Sequence, residues 1–136
     1  MSVATKKLSE QCYPAAGVSN ADIVTRRTSP YVLASEASRI VASMTTEAAT
    51  VGKTATVSLL QATDAAGSGA KDLGTAVVKT SASGAQKLLG MAEAGPNDMD
   101  HANGFLYVAA TVISNDTSPL VGSVQLILGG LRHGVP

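Results

Sequence analysis

A glycine-rich stretch with a lysine, residues 67–71, is the part of the sequence closest to a phosphate-binding loop. It reads Gly-Ser-Gly-Ala-Lys and follows an apolar run, VSLLQA, at residues 57–62. A P-loop needs two glycines separated by four residues, then Lys and Ser or Thr at the start of a helix, so that amides and the ammonium converge on phosphate. Here the spacing differs, Asp72 follows the lysine, and the next run, GTAVV, is typical of a strand. The stretch is therefore predicted to be a turn between two strands.

A second group of polar residues could hold a metal ion. Asp98, Asp100, His101 and Asn103 stand in one segment, and oxygen and imidazole ligands bind metals in many proteins. The segment lacks the spacing and the distal Glu of a calcium loop, and Asp and Asn are frequent turn formers. We expect a turn here and no metal or other cofactor, with a metal enzyme built around His101 as the minor alternative.

The remaining reactive side chains do not form a catalytic pattern. His101 and His133 are the two histidines, Cys12 is the single cysteine, and no Gly-x-Ser-x-Gly sequence is present. A nucleophile, a base and an orienting acid are needed for covalent catalysis. We therefore expect that the protein is not an enzyme, and one cysteine excludes an intrachain disulfide.

Composition limits the classes of partner. Ten basic and ten acidic residues balance, so neither nucleic acid nor an anionic membrane would be attracted by charge. Aromatic residues are few (Tyr13, Tyr31, Phe105 and Tyr107), which disfavours a small-molecule substrate. No secretory signal is visible at the amino end and the apolar run 121–130 is too short to span a bilayer, so we expect synthesis in the cytoplasm.

The hydrophobic pattern predicts an all-β protein. Alternating or apolar runs separated by turns lie at residues 38–46, 53–62, 74–80, 86–93, 105–114 and 121–130. This spacing favours an antiparallel β-sandwich of jelly-roll type, in which we expect runs 38–46 and 53–62 to be neighbours. Residues 1–34 are punctuated by Pro and Gly and are predicted to form an extended amino-terminal arm with one short helix in SNADIVTRR, ahead of a sandwich domain at 35–136.

Four segments resemble a group of small virion proteins encoded among tailed-bacteriophage head genes. They are Gln61–Asp64, Gly67–Lys71, Asn103–Phe105 and Leu128–Arg132. The resemblance covers most of residues 35–132 and implies a capsid decoration or cement protein, a jelly-roll module that binds the outside of an icosahedral shell and bridges capsomers. The major capsid protein would be its partner. Location in a phage tail remains open, because related small proteins occur there as well.

Residues for partner contact are chosen by position and type. In the arm they are Arg26, Arg27 and Tyr31, and in the carboxyl tail Leu131, Arg132 and His133. Paired arginines suit bidentate contacts with an acidic neighbour. Strands that are apolar on both sides favour a homodimer. The alternative function is a tail or fibre module that recognises a host glycan on a tyrosine platform.

Overall fold

The computed structural model describes residues 12–35, 37–82 and 84–130. Strands dominate this part of the chain, and the only helical segments in it are two single 3₁₀ turns, Pro96–Asp98 and His101–Asn103. The nine strands are β1 (Cys12–Asp22), β2 (Arg27–Thr28), β3 (Val32–Leu33), β4 (Arg39–Ala49), β5 (Thr54–Ala62), β6 (Lys71–Thr80), β7 (Gln86–Ala94), β8 (Tyr107–Ser114) and β9 (Val121–Gly129).

The strands form two antiparallel sheets. The first has the order β1-β9-β4-β7, and the second has the order β2-β8-β5-β6 with β3 also paired to β8. The pairs nest inside one another: β5 with β6, β4 with β7, β2 and β3 with β8, and β1 with β9. The chain is thus one long hairpin rolled up so that β4 also meets β9 and β5 meets β8. This is a jelly roll, which confirms the predicted fold class.

The core lies between the two sheets. Because side chains alternate along a strand, Ile40, Ala42 and Met44 of β4 point inward, and Val57 and Leu59 of β5 meet them from the opposite sheet; all are at most 1% exposed. The period-two alternation of both runs in the sequence therefore marks their inward faces. Further buried side chains come from the last strands and two connections: Ile23, Val108, Val112, Leu120, Val124, Leu126 and Leu128.

The predicted pairing of the runs at 38–46 and 53–62 is wrong. These runs are β4 and β5, and they lie in opposite sheets. The connection at residues 50–53 crosses between the sheets, and Asp116 holds its start by accepting hydrogen bonds from the Thr50 amide (2.9 Å) and hydroxyl (3.0 Å). A short turn with a glycine is compatible with a hairpin or with such a corner, so local sequence did not distinguish them.

Residues 12–34, predicted to belong to an arm, instead contribute three strands to the sheets. β1 pairs with β9 from Cys12 to Asp22, and β2 and β3 pair with β8. The short helix predicted in SNADIVTRR is also wrong, since residues 19–22 are strand and the Asp22 carboxylate accepts from the Val24 amide (3.1 Å) in a turn. Residues 1–11 lie outside the described part of the chain. Within that part, no helix could cross a membrane.

Candidate interaction surfaces

The two polar clusters of the sequence, residues 67–71 and 98–103, meet at one end of the sandwich, which we call the loop end. The Lys71 ammonium, at the start of β6, lies 2.6 Å from a carboxylate oxygen of Asp100. The same ammonium lies 4.2 Å from the centre of the Phe105 ring. The Asn103 side chain donates to the Asp100 carboxylate at 2.9 Å, and the Asp100 amide donates to Gln61 of β5 at 2.8 Å. The hydrogen bond from Lys71 is the largest reason that the pKa of Asp100 lies below its usual range, and the hydrogen bond from Asn103 is the next.

The glycine-rich segment is a closed turn, as predicted. The Asp64 carboxylate accepts hydrogen bonds from the amides of Ala66 (2.9 Å) and Ser68 (3.1 Å), and bonding to Ser68 is the main reason that the pKa of Asp64 is lowered. Gly67 adopts φ +86°, and a Cβ on it would lie 2.7 Å from the Tyr31 ring. Because an internal carboxylate already occupies these amides, the turn does not offer them to a phosphate.

The acidic segment at residues 95–104 is used to close its own turns. The Asp98 carboxylate accepts from the Gly95 amide at 2.9 Å, while Asp100 is held by Lys71 and Asn103. His101 is exposed. In the described part of the chain, no group of three or more His, Cys, Asp or Glu side chains is placed to hold a metal ion. The contacts at this end therefore join loops to each other and to β5 and β6.

The predicted contact residues of the arm do not form one site. Arg26 and Arg27 are exposed beside β8, where Arg26 donates to the Thr111 hydroxyl (3.3 Å) and Arg27 to the Asp22 carbonyl (2.8 Å). No acidic side chain of a described residue lies within 4.0 Å of either guanidinium. Tyr31 lies at the loop end instead, half-buried against Gly67, and burial raises the pKa of its hydroxyl. Leu131, Arg132 and His133 lie outside the described residues.

The outer side of the four-stranded sheet forms a broad surface that we call the sheet face. Cross-strand rows define it: Gly17, Gln125, Ser43 and Met91 in one row, and Ser123, Thr45 and Leu89 in the next. A shallow depression crosses it between β1 and β4. Its centre carries no charged side chain, and its ion pairs, Arg39 with Glu93 and Lys87 with Glu47, lie towards β7. Removing water from uncharged side chains costs less free energy than removing it from charged ones, so this surface suits an interface.

Two large apolar side chains stand out from the sheet face at its β7 edge. Leu89 is 67% exposed and Met91 is 55% exposed. The sequence indicated a strand here but not this exposure, because Leu88, Ala92 and Ala94 on the other side are apolar too and are buried. The available signal was the period-two alternation of Lys87, Leu89, Met91 and Glu93, which places two charged side chains on the same face.

The comparisons give structural likenesses at low identity. No family model matches the chain, and no curated protein sequence matches it. A pilus subunit of Bacillus endospore appendages is 11% identical, with a TM-score of 0.42 over 90% of each chain. A subunit of the empty cowpea mosaic virus particle is 16% identical, with a TM-score of 0.38 over 77% of this chain and 62% of the other. A cellulose-specific carbohydrate-binding module of type CBM28 is 8% identical, with a TM-score of 0.46 over 88% and 73%. None of these likenesses bears on function.

Proposed function

We propose that the protein is a structural, non-enzymatic component of a bacteriophage virion. In this proposal it is made in the host cytoplasm, binds the outside of an icosahedral capsid and bridges neighbouring capsomers. The sequence resemblance at Gln61–Asp64, Gly67–Lys71, Asn103–Phe105 and Leu128–Arg132 supports the family of decoration proteins. The partner would be the major capsid protein.

The observation that carries the proposal is the neutral sheet face. Its central side chains, Ser43, Thr45, Ser123 and Gln125, are short or uncharged, and Leu89 and Met91 add exposed apolar area at one side. Protein interfaces are depleted of charge at their centre and keep their charges at the rim. The sheet face has this distribution, with Arg39, Glu93, Lys87 and Glu47 at its margin.

Arg26 and Arg27 supply a second contact in the proposal. They are exposed on the opposite sheet, so a subunit that used both surfaces would touch two capsomers. A protein that binds the assembled shell and not its separated subunits stabilises the shell by mass action. A dimer would double the contacts of each particle-bound unit and raise its avidity.

Cosedimentation with undecorated phage heads tests the proposal. Purified protein and heads are mixed at several salt concentrations, and saturable binding at a fixed ratio to the shell subunit is expected. Binding through the sheet face would persist at high salt, whereas the contribution of Arg26 and Arg27 would fall as salt screens it. If no protein sediments with intact heads under any of these conditions, the capsid proposal is wrong.

Two isosteric variants locate the contact. Gln125→Glu places one charge at the centre of the sheet face, where an unpaired buried charge should weaken binding at least about tenfold. Asn97→Asp makes the same chemical change at an exposed residue of the 3₁₀ turn after β7, which is not part of that face, and binding should be unchanged. Equal affinities of both variants and the wild type would exclude the sheet face as the contact.

A glycan-binding module of a phage tail or fibre is the second candidate. One observation favours it, since the Tyr31 and Phe105 rings lie at the loop end and Tyr107 begins β8, two residues after Phe105. Two of those rings already have neighbours, because Lys71 covers Phe105 and Gly67 packs on Tyr31. A glycan array decides: a specific hit that Tyr107→Ala abolishes would support this function, and an array without hits would remove it.

A further inference from the structure

Strands β6 and β7 end the two sheets on the same side of the sandwich, and they differ in the features that protect an edge. β6 has a kink at Gly74 (φ +70°), and Lys79 points inward beneath β7, where it would contact a side chain at Gly90. Kinks and inward-pointing charges are the usual protection of an edge against pairing. β7 has neither feature and presents Leu89 and Met91 instead.

On its open side, β7 pairs with no strand of the described chain. The Leu88 amide donates to the Thr46 hydroxyl on β4 (3.0 Å), so the amides of alternate residues from Leu88 onward face β4. Backbone groups of Leu89 and Met91 then face away from the sheet. At the far end, Gly74 lies beside the Glu93 carbonyl, which centres the available segment on Leu89–Met91.

The sequence of β7 is nearly symmetric about Gly90. It reads Lys-Leu-Leu-Gly-Met-Ala-Glu over residues 87–93. Two such strands, antiparallel about a two-fold axis through Gly90, place Leu89 opposite Met91 and Lys87 opposite Glu93. Shifting either copy by two residues places Lys87 opposite Met91, or Leu89 opposite Glu93, and loses the match of charge.

We propose that β7 pairs with β7 of a second copy of this chain, in this symmetric register, and joins the two four-stranded sheets into one. Leu89 and Met91 form the apolar cross-strand pairs, which stabilise antiparallel sheets. Lys87 and Glu93 meet through their side chains and extend the existing ion pairs with Glu47 and Arg39, giving a row of alternating charges across the junction. The inference rests on the dimer of the proposed function and names its interface.

Cysteine crosslinking tests the register without any shell. In a Cys12→Ser background, Leu89→Cys and Met91→Cys are prepared as separate proteins. Directly opposite, hydrogen-bonded residues have Cα atoms about 5.5 Å apart, within the range of a disulfide. Identical residues would sit diagonally, about 7–8 Å apart, beyond easy bridging. Mixing the two proteins should therefore yield crosslinked dimer at least roughly tenfold faster than either protein alone. Equal rates, or no crosslinked dimer, would overturn the register.

Charge reversal tests the same interface in equilibrium. Lys87→Glu and Glu93→Lys should each raise the dimer dissociation constant roughly tenfold in sedimentation equilibrium, because each places two like-charged pairs at the symmetric junction. The double variant restores both pairs and should recover the wild-type constant. Glu47→Gln removes the intrachain partner of Lys87 and serves as the control, with at most a small effect. Failure of the double variant to recover, while circular dichroism remains native, would contradict the pairing.

A third variant separates this interface from general surface hydrophobicity. Leu89→Asp should give a monomer, whereas Val78→Asp, at a residue 56% exposed on the outer side of β6, should remain dimeric. Monomeric wild-type protein that still binds heads would overturn the β7 pairing and leave the capsid proposal standing. A wild-type dimer that does not bind heads would leave the β7 pairing standing and overturn the capsid proposal.

Discussion

At the scale of single residues, the glycines are the positions where backbone conformation and neighbouring side chains most restrict which residue can be present. Gly67 combines φ +86° with a Tyr31 ring 2.7 Å from the position of a Cβ. The sequence predicted the turn from its composition, but it did not predict that Tyr31 packs on it. That contact joins two connections of the jelly roll and depends on the fold as a whole, so no local pattern encodes it.

Gly67→Ala should lower the free energy of unfolding by about 2–4 kcal/mol, since the left-handed backbone disfavours a Cβ and the Tyr31 ring must move. Gly52 is a matched control because its φ is +84° and, beyond its chain neighbours, nothing lies within 4 Å of the position that a Cβ would take. Gly52→Ala should cost only the backbone part, about 1–2 kcal/mol. Urea denaturation measures both. Equal losses would mean that the ring adjusts freely and that the contact does not restrain the turn.

At the scale of elements, strands were predictable and their partners were not. The predicted runs at 38–46, 53–62, 86–93 and 121–130 coincide closely with β4, β5, β7 and β9. Alternation gave the inward faces of β4 and β5, because their outer positions are more polar. Pairing is decided by how the long hairpin rolls, and that depends on contacts between residues far apart in the sequence.

β1 was missed for a physical reason. Pro14, Gly17 and Asn20 interrupt any alternating pattern, yet an edge strand tolerates them. The ladder with β9 has irregularities between Pro14 and Ala16 and between Val18 and Ala21. Gly17 is required because a Cβ there would lie 2.9 Å from the Val124 carbonyl oxygen. Residues that signal an arm in the sequence are here adaptations of a bulged edge strand.

Truncation separates the described strand from the residues before it. Removing residues 1–22 deletes β1, exposes the edge of β9 and should destabilise the fold by several kcal/mol, through lost ladder hydrogen bonds and uncovered core. Removing residues 1–11 is the control, because it leaves every described strand in place, and it should lower the melting temperature less than removal of residues 1–22 does. Thermal unfolding followed by circular dichroism compares the two. A stable protein without residues 1–22 would show that β1 adds little to the sandwich.

At the scale of the whole molecule, the nested strand pairs differ in the length of chain that separates the two strands of each pair. β5 and β6 are joined by the short turn at 63–70, whereas β1 and β9 come from the two ends of the described chain. The same nesting brings the glycine-rich turn, at the tip of the long hairpin, against the segment at 95–104. The sequence identified both clusters, and only the rolled topology shows that they share one end.

Loop-closure entropy predicts that the β5–β6 pair forms early in folding and the β1–β9 pair late. Val57 of β5 and Val124 of β9 are matched probes, since both are valines at most 2% exposed. Each change to Ala should cost about 2 kcal/mol of stability. Val57→Ala should mainly slow refolding, whereas Val124→Ala should mainly speed unfolding, as stopped-flow chevron plots would show. If both variants divide the lost stability between the folding rate and the unfolding rate in the same proportion, the two sheets form together and no hairpin forms ahead of them.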